Sequence, residues 1–173
     1  LITGITGQDG LFLTAKILKN SKSYNIVGIS RIKDHSIFYR KINSIYKMDN
    51  DRIQIHNLDL LNSEHVSSFI SKFKPEQIFN LSGPSSVYQS ISDPTISKKI
   101  EIIFENLISS LIKINYFPNF FQASSSEMFS GDVKKKLSED SLMVPNSPYA
   151  ESKYNNHKKI IKICWRKYTY SWQ

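Results

Sequence analysis

A phenol and an ammonium group that could act together in acid–base chemistry lie near the C-terminal end of the chain. Tyr149 and Lys153 are four residues apart in a segment with helical character. At that spacing both side chains project from one face of a helix. A neighbouring ammonium stabilises a phenolate, so the pair could serve as a general base. Pairs of this kind are frequent by chance, so the spacing alone is a weak indication.

A hydroxyl and a carboxylate occur shortly before this pair, in the string Ser124-Ser125-Ser126-Glu127. A hydroxyl at this point can hold a reacting oxygen together with Tyr149, and Glu127 can take a proton from carbon. Two other interpretations stay open: the serines could cap a turn, and Glu127 could be a solvated loop acid. The combination with a glycine-rich segment near the start of the chain is more specific than any of its parts.

Three of the six glycines of the chain fall in one window near its start, GITGQDG. Glycine has no Cβ, so it permits a tight turn and lets a pyrophosphate approach the backbone. The N-terminus of a following helix offers N–H groups and a partial positive charge to phosphates. The segment therefore predicts dinucleotide binding, in preference to a merely structural turn. The residues concerned are Gly4, Ile5, Thr6, Gly7, Gln8, Asp9 and Gly10.

The residue that follows the second predicted strand indicates which dinucleotide binds. In dinucleotide-binding folds, a carboxylate at this position contacts the ribose 2′-OH of NAD, and an arginine accommodates the 2′-phosphate of NADP. Here the strand ends at Arg31, Lys33 follows, and no acid occurs before Asp34. We expect NADP, the alternative being that Arg31 is an ordinary surface residue. Asp59 could hold the adenine edge or could equally be a cap that precedes a helix.

Short apolar runs alternate with helical patterns along the chain. This alternation predicts an α/β protein with a doubly wound, Rossmann-type parallel sheet and helices on both faces. Ligands of such sheets bind beyond the carboxyl ends of the strands, where the residues above fall. The predicted strands are 1–3, 25–30, 53–57, 77–81 and 120–123, and the predicted helices are 9–20, 63–73, 95–115 and 148–167, the last capped by Ser147; residues 31–52 are left unassigned.

Composition narrows the class of protein. The chain has 173 residues and a formal net charge of +8, which suits a single dinucleotide-binding domain over 1–173. The hydrophobic content of 40% excludes a disordered chain, and no apolar run is long enough to span a membrane. The basic residues are scattered, so nucleic acid is not the expected partner. The single cysteine, Cys164, fits a reducing, cytoplasmic compartment, and the four histidines show no metal-ligand spacing with it.

Several strings together resemble one known family. They are GITGQDG, the NLDL around Asp59, FNLSGPSSV at 79–87, FQASSSEMF at 121–129 and NSPYAESK at 146–153. They are similar to the extended short-chain dehydrogenase/reductase family and, within it, to the group of GDP-mannose 4,6-dehydratases. The similarity runs in register to about residue 168. Related sugar-nucleotide epimerases lack the acid after the serines.

The resemblance implies an NADP-dependent lyase of nucleotide-sugar metabolism, on the route to GDP-fucose. Tyr149, activated by Lys153 and assisted by Ser125, would remove the proton from the sugar 4-OH as hydride passes from C4 to NADP⁺. Glu127 would then take the C5 proton, water would leave from C6, and hydride would return to C6. GDP-mannose would thus become GDP-4-keto-6-deoxymannose. The resemblance adds Asp59, Leu60, Leu81, Ser82, Gly83, Ser85, Tyr149 and Lys153 to the expected cofactor contacts.

The chain departs from the family at one segment that is expected to face the cofactor. The family usually has Ala-Gln-Ser-His-Val where this chain has Gly83-Pro84-Ser85-Ser86-Val87, and Pro84 lacks a backbone donor. We expect a fragment of a longer, two-lobed enzyme without its C-terminal substrate lobe, and a homo-oligomer in the full-length enzyme. The alternatives are another sugar-nucleotide epimerase or reductase, and a catalytically silent NADP-binding module.

Overall fold

The computed structural model describes residues 1–47, 50–129 and 136–170, with side chains in the last helix as far as residue 163. The chain divides into two compact units. The first unit consists of Leu1–Ser82 and Glu105–Ala123, and the second of Gly83–Phe104 and Ser124–Gln173. In chain order the elements are β1 Ile2–Thr3, α1 Gln8–Asn20, β2 Ile26–Ser30, α2 Ser36–Tyr46, β3 Ile53–Asn57, α3 Ser63–Phe73, β4 Gln77–Asn80, α4 Val87–Ser92, α5 Pro94–Lys113, β5 Asn119–Gln122, a 3-10 helix Ser126–Met128 and α6 Pro148–Tyr170.

The first unit is built on a parallel sheet. Its five strands are arranged in the order β3-β2-β1-β4-β5. In the register of this sheet, Ile2 of β1 lies beside Gly28 of β2 on one side and Phe79 of β4 on the other. The strand order therefore reverses between β1 and β4, which is where dinucleotide-binding folds place their ligand. The Rossmann-type α/β fold predicted from the sequence is confirmed.

Helices cover both faces of this sheet. Ile55 of β3 packs against the core cluster that contains Leu11 of α1 and Phe38 of α2. The next residue, His56, makes edge-to-face ring contacts with Phe69 and Phe73 of α3, at centroid distances of 5.2 and 4.9 Å. Because successive side chains of a strand point to opposite faces, α3 lies on the face opposite α1 and α2. The sheet is thus doubly wound.

Local sequence explains where the predicted helices begin and end. The side chain of Asn62 accepts a hydrogen bond from the His65 N–H and caps α3, whose first turn carries Glu64. The same helix ends at Lys74, which adopts a left-handed conformation with φ of 38°. The predicted bounds of α3 and β3 agree with the structure, and those of β1, α1, β2, β4, α5 and β5 differ by one or two residues at one or both ends. Helix α6 extends to Tyr170, beyond its predicted end near residue 167.

Two helices were not predicted from the sequence. One is α2, which lies in the unassigned stretch 31–52 and buries only Phe38 and Ile42. Phe38, Ile42 and Tyr46 pack on the core at four-residue spacing, a helical period that the prediction overlooked. The other is α4, which has six residues and is too short to show a helical period.

The second unit is helical and is centred on α6. Both α4 and the 3-10 helix pack against α6. Polar contacts join α5 to α6: the Ser152 hydroxyl donates to Glu101 Oε1 at 3.0 Å, Asn156 Nδ2 donates to the carbonyl of Ile100 at 3.1 Å, and Lys159 Nζ forms an ion pair with Glu101 Oε2 at 3.9 Å. These contacts fix the rotation of α6 about its axis and therefore the face on which Tyr149 and Lys153 stand. In the described parts of both units, no helix is sufficiently long and apolar to cross a bilayer.

Candidate active site

The glycine-rich turn of the first unit is shaped by backbone contacts that leave no room for side chains. Gly4 has a φ of +69°, and a Cβ there would lie 3.1 Å from the carbonyl oxygen of Leu81. At Gly10 a Cβ would approach the Gly4 oxygen and the Ile5 Cα and oxygen to 2.6 Å. A left-handed turn and a helix packed this closely require glycine at both positions. Gly7 is the N-cap of α1 and contributes no side-chain cap to its first turn.

A buried hydrogen-bond network joins the end of β1 to the end of β4. The Thr3 hydroxyl donates to Asn80 Oδ1 at 2.6 Å and accepts from the backbone N–H groups of Leu81 and Ser82, each at 3.2 Å. Asn80 Nδ2 donates in turn to Gln122 Oε1 at 2.7 Å. These hydrogen bonds hold the predicted cofactor residues Leu81 and Ser82 beside Gly4. This network was not predicted from the sequence, although polar residues inside otherwise apolar strands are a usable signal.

Ser30, the last residue of β2, connects the glycine-rich turn to the loop that carries Arg31. Its hydroxyl lies 2.9 Å from the Thr6 hydroxyl and accepts from the Ile32 N–H at 3.0 Å. Asn57 Nδ2 of β3 donates to the Arg31 carbonyl at 2.9 Å. The Arg31 backbone is therefore anchored while its side chain is exposed. Neither Ser30 nor Asn57 was identified from the sequence.

The structure decides part of the question left open at Asp59. The N-cap of α3 is Asn62, so the interpretation of Asp59 as the helix cap is wrong. Instead, Asp59 Oδ1 accepts from the Leu61 N–H at 3.0 Å, and the Asp59 carbonyl accepts from the Asn62 N–H at 3.2 Å. The carboxylate thus orders the turn that leads into α3. Its contact with an adenine remains a prediction.

The side chains of two predicted cofactor residues are buried in the core. Ile5 is fully buried at 0% exposure and packs onto Gly28, where a Cβ would lie 2.5 Å from Ile5 Cδ1. Leu60 is buried as well, and its carbonyl accepts from Asn106 Nδ2 at 2.8 Å. Only the backbone of Ile5 could therefore reach a ligand. Gln8 and Asp9, in the first turn of α1, are exposed.

In the second unit, Tyr149 and Lys153 form a buried pair at the start of α6. Their exposures are 9% and 8%, and Lys153 Nζ lies 5.7 Å from the centroid of the Tyr149 ring. Burial lowers the pKa of Lys153, because removing an ammonium group from water disfavours its charged form. Helical spacing thus places both groups on one face, as the sequence predicts.

Ser125 and Glu127 lie at the 3-10 helix that packs against α6. The Ser125 hydroxyl accepts from the Glu127 N–H at 3.2 Å, so this serine does cap a turn. Because that bond uses an acceptor site of the hydroxyl, its hydrogen can still be donated to another oxygen. The Glu127 side chain is exposed. The capping interpretation and the catalytic one are therefore compatible for Ser125.

The segment 83–86 precedes α4 and includes two more predicted cofactor residues, Gly83 and Ser85. Gly83 has a φ of +133°, and a Cβ there would lie 3.3 Å from Ile100 Cγ1. Ser86 caps α4 by accepting from the Gln89 N–H at 3.1 Å. The family's usual alanine would be strained at this φ. The Gly-Pro pair is therefore consistent with the local backbone.

The predicted site residues are divided between the two units. The first unit holds Gly4, Ile5, Thr6, Gly7, Gln8, Asp9, Gly10, Arg31, Asp59, Leu60, Leu81 and Ser82. The second holds Gly83, Ser85, Ser125, Glu127, Tyr149 and Lys153. Thus the predicted phosphate-binding elements lie in the first unit and the predicted acid–base groups in the second.

The family model described as GDP-mannose 4,6 dehydratase matches residues 1–171. The chain belongs to this family. Among curated proteins, it is 32% identical over 166 residues to GDP-mannose 4,6 dehydratase 2 of Arabidopsis thaliana, which covers 91% of this chain and 43% of the plant protein. It is 30% identical over 159 residues to GDP-mannose 4,6-dehydratase of Vibrio cholerae, covering 88% and 42%. The chain thus spans less than half the length of these relatives.

Solved structures of sugar-nucleotide epimerases share the fold. The UDP-Glc/GlcNAc 4-epimerase of Campylobacter jejuni superposes with a TM-score of 0.80 at 18% identity, over 93% of this chain and 47% of that one. The UDP-glucose 4-epimerase of Thermus thermophilus, solved in complex with NAD, gives a TM-score of 0.77 at 17% identity, over 97% and 51%. At such identities the likeness establishes the architecture alone.

Proposed function

We propose that the chain is part of an NADP-dependent sugar-nucleotide 4,6-dehydratase that converts GDP-mannose to GDP-4-keto-6-deoxymannose. The observation that carries this proposal is the buried Tyr149–Lys153 pair in a member of the GDP-mannose 4,6 dehydratase family. The relatives named above carry that activity in their names. We further propose that the protein is cytoplasmic and that the full-length enzyme is a homo-oligomer.

The glycine-rich turn fits a dinucleotide. Gly4 permits the left-handed turn, and Gly10 lets the first turn of α1 pack closely against Gly4 and Ile5. The N–H groups and the helix dipole at the start of α1 favour a diphosphate. Leu81 and Ser82 are held beside this turn by Thr3. When bound, NADP⁺ supplies a hydride acceptor that later returns the hydride. The residues of the first unit would hold and orient it.

Arg31 supports the choice of NADP over NAD. Its guanidinium is exposed at the end of β2, with Lys33 two residues further along the chain. A guanidinium binds a phosphate in a bidentate, charge-assisted geometry. Because a hydrogen bond already holds the Arg31 backbone, less conformational entropy would be lost when the guanidinium binds a phosphate.

Tyr149 would remove the proton from the sugar 4-OH, with Lys153 stabilising the phenolate. The burial that lowers the pKa of Lys153 also strengthens the attraction between its ammonium and a nearby anion. The Ser125 hydroxyl would donate to the sugar oxygen and hold it in place. These roles assign proton removal at O4 to the second unit.

Glu127 would take the proton from C5 once the 4-ketone has acidified it, and water would leave from C6. The Glu127 carboxylate is exposed at the 3-10 helix and can accept that proton. This role separates dehydration from epimerisation, which needs no such base.

A catalytically silent NADP-binding module is the second candidate function. Pro84 removes a backbone donor from the segment expected to face the cofactor. In this case NADP would bind and no sugar nucleotide would be converted.

Incubation of the purified chain with NADP⁺ and GDP-mannose tests the proposal. A dehydratase forms a 4-keto product that absorbs in alkali, and Glu127→Gln should abolish its formation while leaving NADP⁺ binding intact. Glu139→Gln, which changes another exposed acid, is the matched control. Undiminished product formation by Glu127→Gln contradicts the dehydratase mechanism. Calorimetric NADP⁺ binding without product in the unaltered chain favours the silent module.

A further inference from the structure

The start of α6 contains one buried backbone N–H group that the helix itself cannot satisfy. The first N–H groups of a helix have no intrahelical acceptor. In α6, Pro148 has none to offer, the Ala150 N–H donates to Ser147 Oγ at 3.1 Å, and the Glu151 N–H donates to the Ser147 carbonyl at 2.9 Å. The remaining group is the N–H of Tyr149. It therefore needs a partner from outside the helix.

Ser90 of α4 supplies that partner. Its hydroxyl accepts from the Tyr149 N–H at 3.2 Å and donates to the Val87 carbonyl at 2.6 Å. Ser90 is 1% exposed, so water does not substitute for this bond. The hydroxyl donates to its own helix and accepts from Tyr149, and these two bonds together fix its orientation.

The position of Ser90 connects two parts of the second unit. The helix α4 begins directly after segment 83–86, where Ser86 caps it. The Ser90–Tyr149 bond therefore links this predicted cofactor segment to the residue predicted to remove the proton. Further along α6, the contacts of Ser152 with Glu101 and of Asn156 with Ile100 hold the next two turns. The bond from Ser90 acts on the backbone of Tyr149 itself.

We infer that Ser90 is a positioning residue for Tyr149. By holding the Tyr149 backbone, the Ser90 hydroxyl sets where the phenol stands relative to the ammonium of Lys153. Ser90 acts through Tyr149 and takes no part in the chemical step. The inferred effect on catalysis rests on the function proposed above, whereas the geometric effect does not.

Nuclear magnetic resonance tests the geometric effect without any need for turnover. The Tyr149 ring lies close enough to Lys153 to displace the resonance of its ε-methylene group by ring current. The displacement is measured against Tyr149→Leu, which lacks the ring. We expect Ser90→Ala to lose most of this displacement and Ser90→Thr, which keeps the hydroxyl, to restore it. If Ser90→Ala does not fold by circular dichroism, Ser90→Cys, with its weaker hydrogen bond, replaces it.

Ser97→Ala is the matched control. Ser97 is a serine of the same unit with 2% exposure, and its Oγ meets no hydrogen-bonding partner in the described part of the chain. This variant removes the same atom from an equally buried site and should leave the Lys153 resonance unchanged. A Lys153 resonance in Ser90→Ala that equals that of Ser97→Ala overturns the inference.

Kinetics separate the inference from the proposed function. With NADP⁺ and GDP-mannose, Ser90→Ala should lower kcat about 10- to 100-fold through misplacement of the base, with little change in KM and with rescue by Ser90→Thr. If Tyr149→Phe turns over like the unaltered chain, the proposed function fails and the resonance measurement still decides the role of Ser90. If Tyr149→Phe is inactive and Ser90→Ala is as active as Ser97→Ala, the inference fails and the function stands.

Discussion

The two units of the chain form their parts of the site by different means. In the first unit, the turn at Gly4–Gly10 is defined by the absence of side chains and by backbone atoms in close approach. In the second, the placement of Tyr149 and Lys153 depends on the Ser90 hydroxyl of α4 and on the Glu101 carboxylate and Ile100 carbonyl of α5, which accept hydrogen bonds from α6. Added atoms disrupt the first arrangement, whereas lost hydrogen bonds disturb the placement of Tyr149 and Lys153 in the second.

This difference indicates how each unit should respond to substitution. A change in the first unit that adds a single carbon should damage folding and binding together. A conservative change in the second unit should remove chemistry while the fold persists. Three substitutions and one change of pH test this contrast, and the substitution of Lys153 should have the largest effect.

Replacement of Lys153 by methionine should abolish turnover and preserve the fold. The ammonium is lost, and the phenolate of Tyr149 loses its stabilising charge, which corresponds to a fall in kcat of about 10²- to 10⁴-fold. Lys153 is buried, and an unbranched apolar side chain of similar shape occupies much of the same volume. Activity and thermal unfolding would be measured in parallel. Lys162→Met, at an exposed position of the same helix, is the control.

A pronounced drop in thermal stability for Lys153→Met, comparable to its loss of activity, would show that the lysine is structural. The contrast between the units would then fail, since the second unit would depend on its catalytic residues for folding.

Replacement of Gly10 by alanine should destabilise the first unit and weaken NADP⁺ binding. The new Cβ would lie 2.6 Å from three backbone atoms, and backbone cannot move aside as a side chain can. Overpacking of this kind costs about 1–3 kcal/mol in the free energy of unfolding. Urea denaturation and calorimetric binding would measure the two effects. Lys16→Ala, at an exposed position of α1, should alter neither, and a fully stable Gly10→Ala would refute the close packing.

Replacement of Arg31 by glutamine should reduce the preference for NADP⁺ over NAD⁺. Loss of a charge-assisted hydrogen bond costs about 1.5–3 kcal/mol, or roughly 10- to 100-fold in affinity. The affinity for NAD⁺, which has no 2′-phosphate, should stay unchanged. Arg40→Gln, on the exposed side of α2, is the control. Equal losses for both dinucleotides would show that Arg31 does not read the 2′-phosphate.

The smallest effect is expected for the pH dependence of the first unit's stability. Burial, followed by the charges of Lys72 and His35, lowers the pKa of His56 below its ordinary value of about 6.5. The unfolded chain therefore binds the proton more readily, and the contribution of His56 to stability is complete above about pH 6.5 and falls as the pH drops through the folded-state pKa.

Urea denaturation of His56→Gln at neutral and mildly acidic pH would measure this contribution. The variant should lose less stability on acidification than the unaltered chain, whereas His65→Gln, at an exposed position of α3, should behave like the unaltered chain. Parallel curves for all three proteins would exclude His56 as a source of the pH dependence.

The elements that the sequence predicted well are those whose signal lies in a few neighbouring residues. The bounds of β3 and α3 were predicted correctly because the alternation of apolar and polar residues in β3 and the capped, periodic segment of α3 are local signals. Helix α2 was missed although Phe38 and Ile42 recur at helical spacing, and these residues pack against a core assembled from distant segments. Asp59 was expected either to contact the adenine edge or to cap α3, and the structure gives the capping role to Asn62.

The residues that position the predicted site were harder to identify from the sequence than the residues predicted to carry out the chemistry. Thr3 and Asn80 are 77 positions apart, and Ser90 and Tyr149 are 59 apart. A single serine carries no mark that distinguishes Ser90 from Ser97, although one bonds Tyr149 and the other meets no partner among the described residues. Such roles depend on which strands and helices lie side by side.

By itself, the sequence determined the alternation of strands and helices, the glycines of the first turn and the four-residue spacing of Tyr149 and Lys153. These features follow from backbone sterics and helical periodicity, which act over a few residues. Only the tertiary structure decided which hydroxyl satisfies the Tyr149 N–H, which amide anchors Arg31 and how deeply Lys153 is buried. Those properties arise from groups far apart in the chain, because a buried polar atom must find its partner wherever packing brings one.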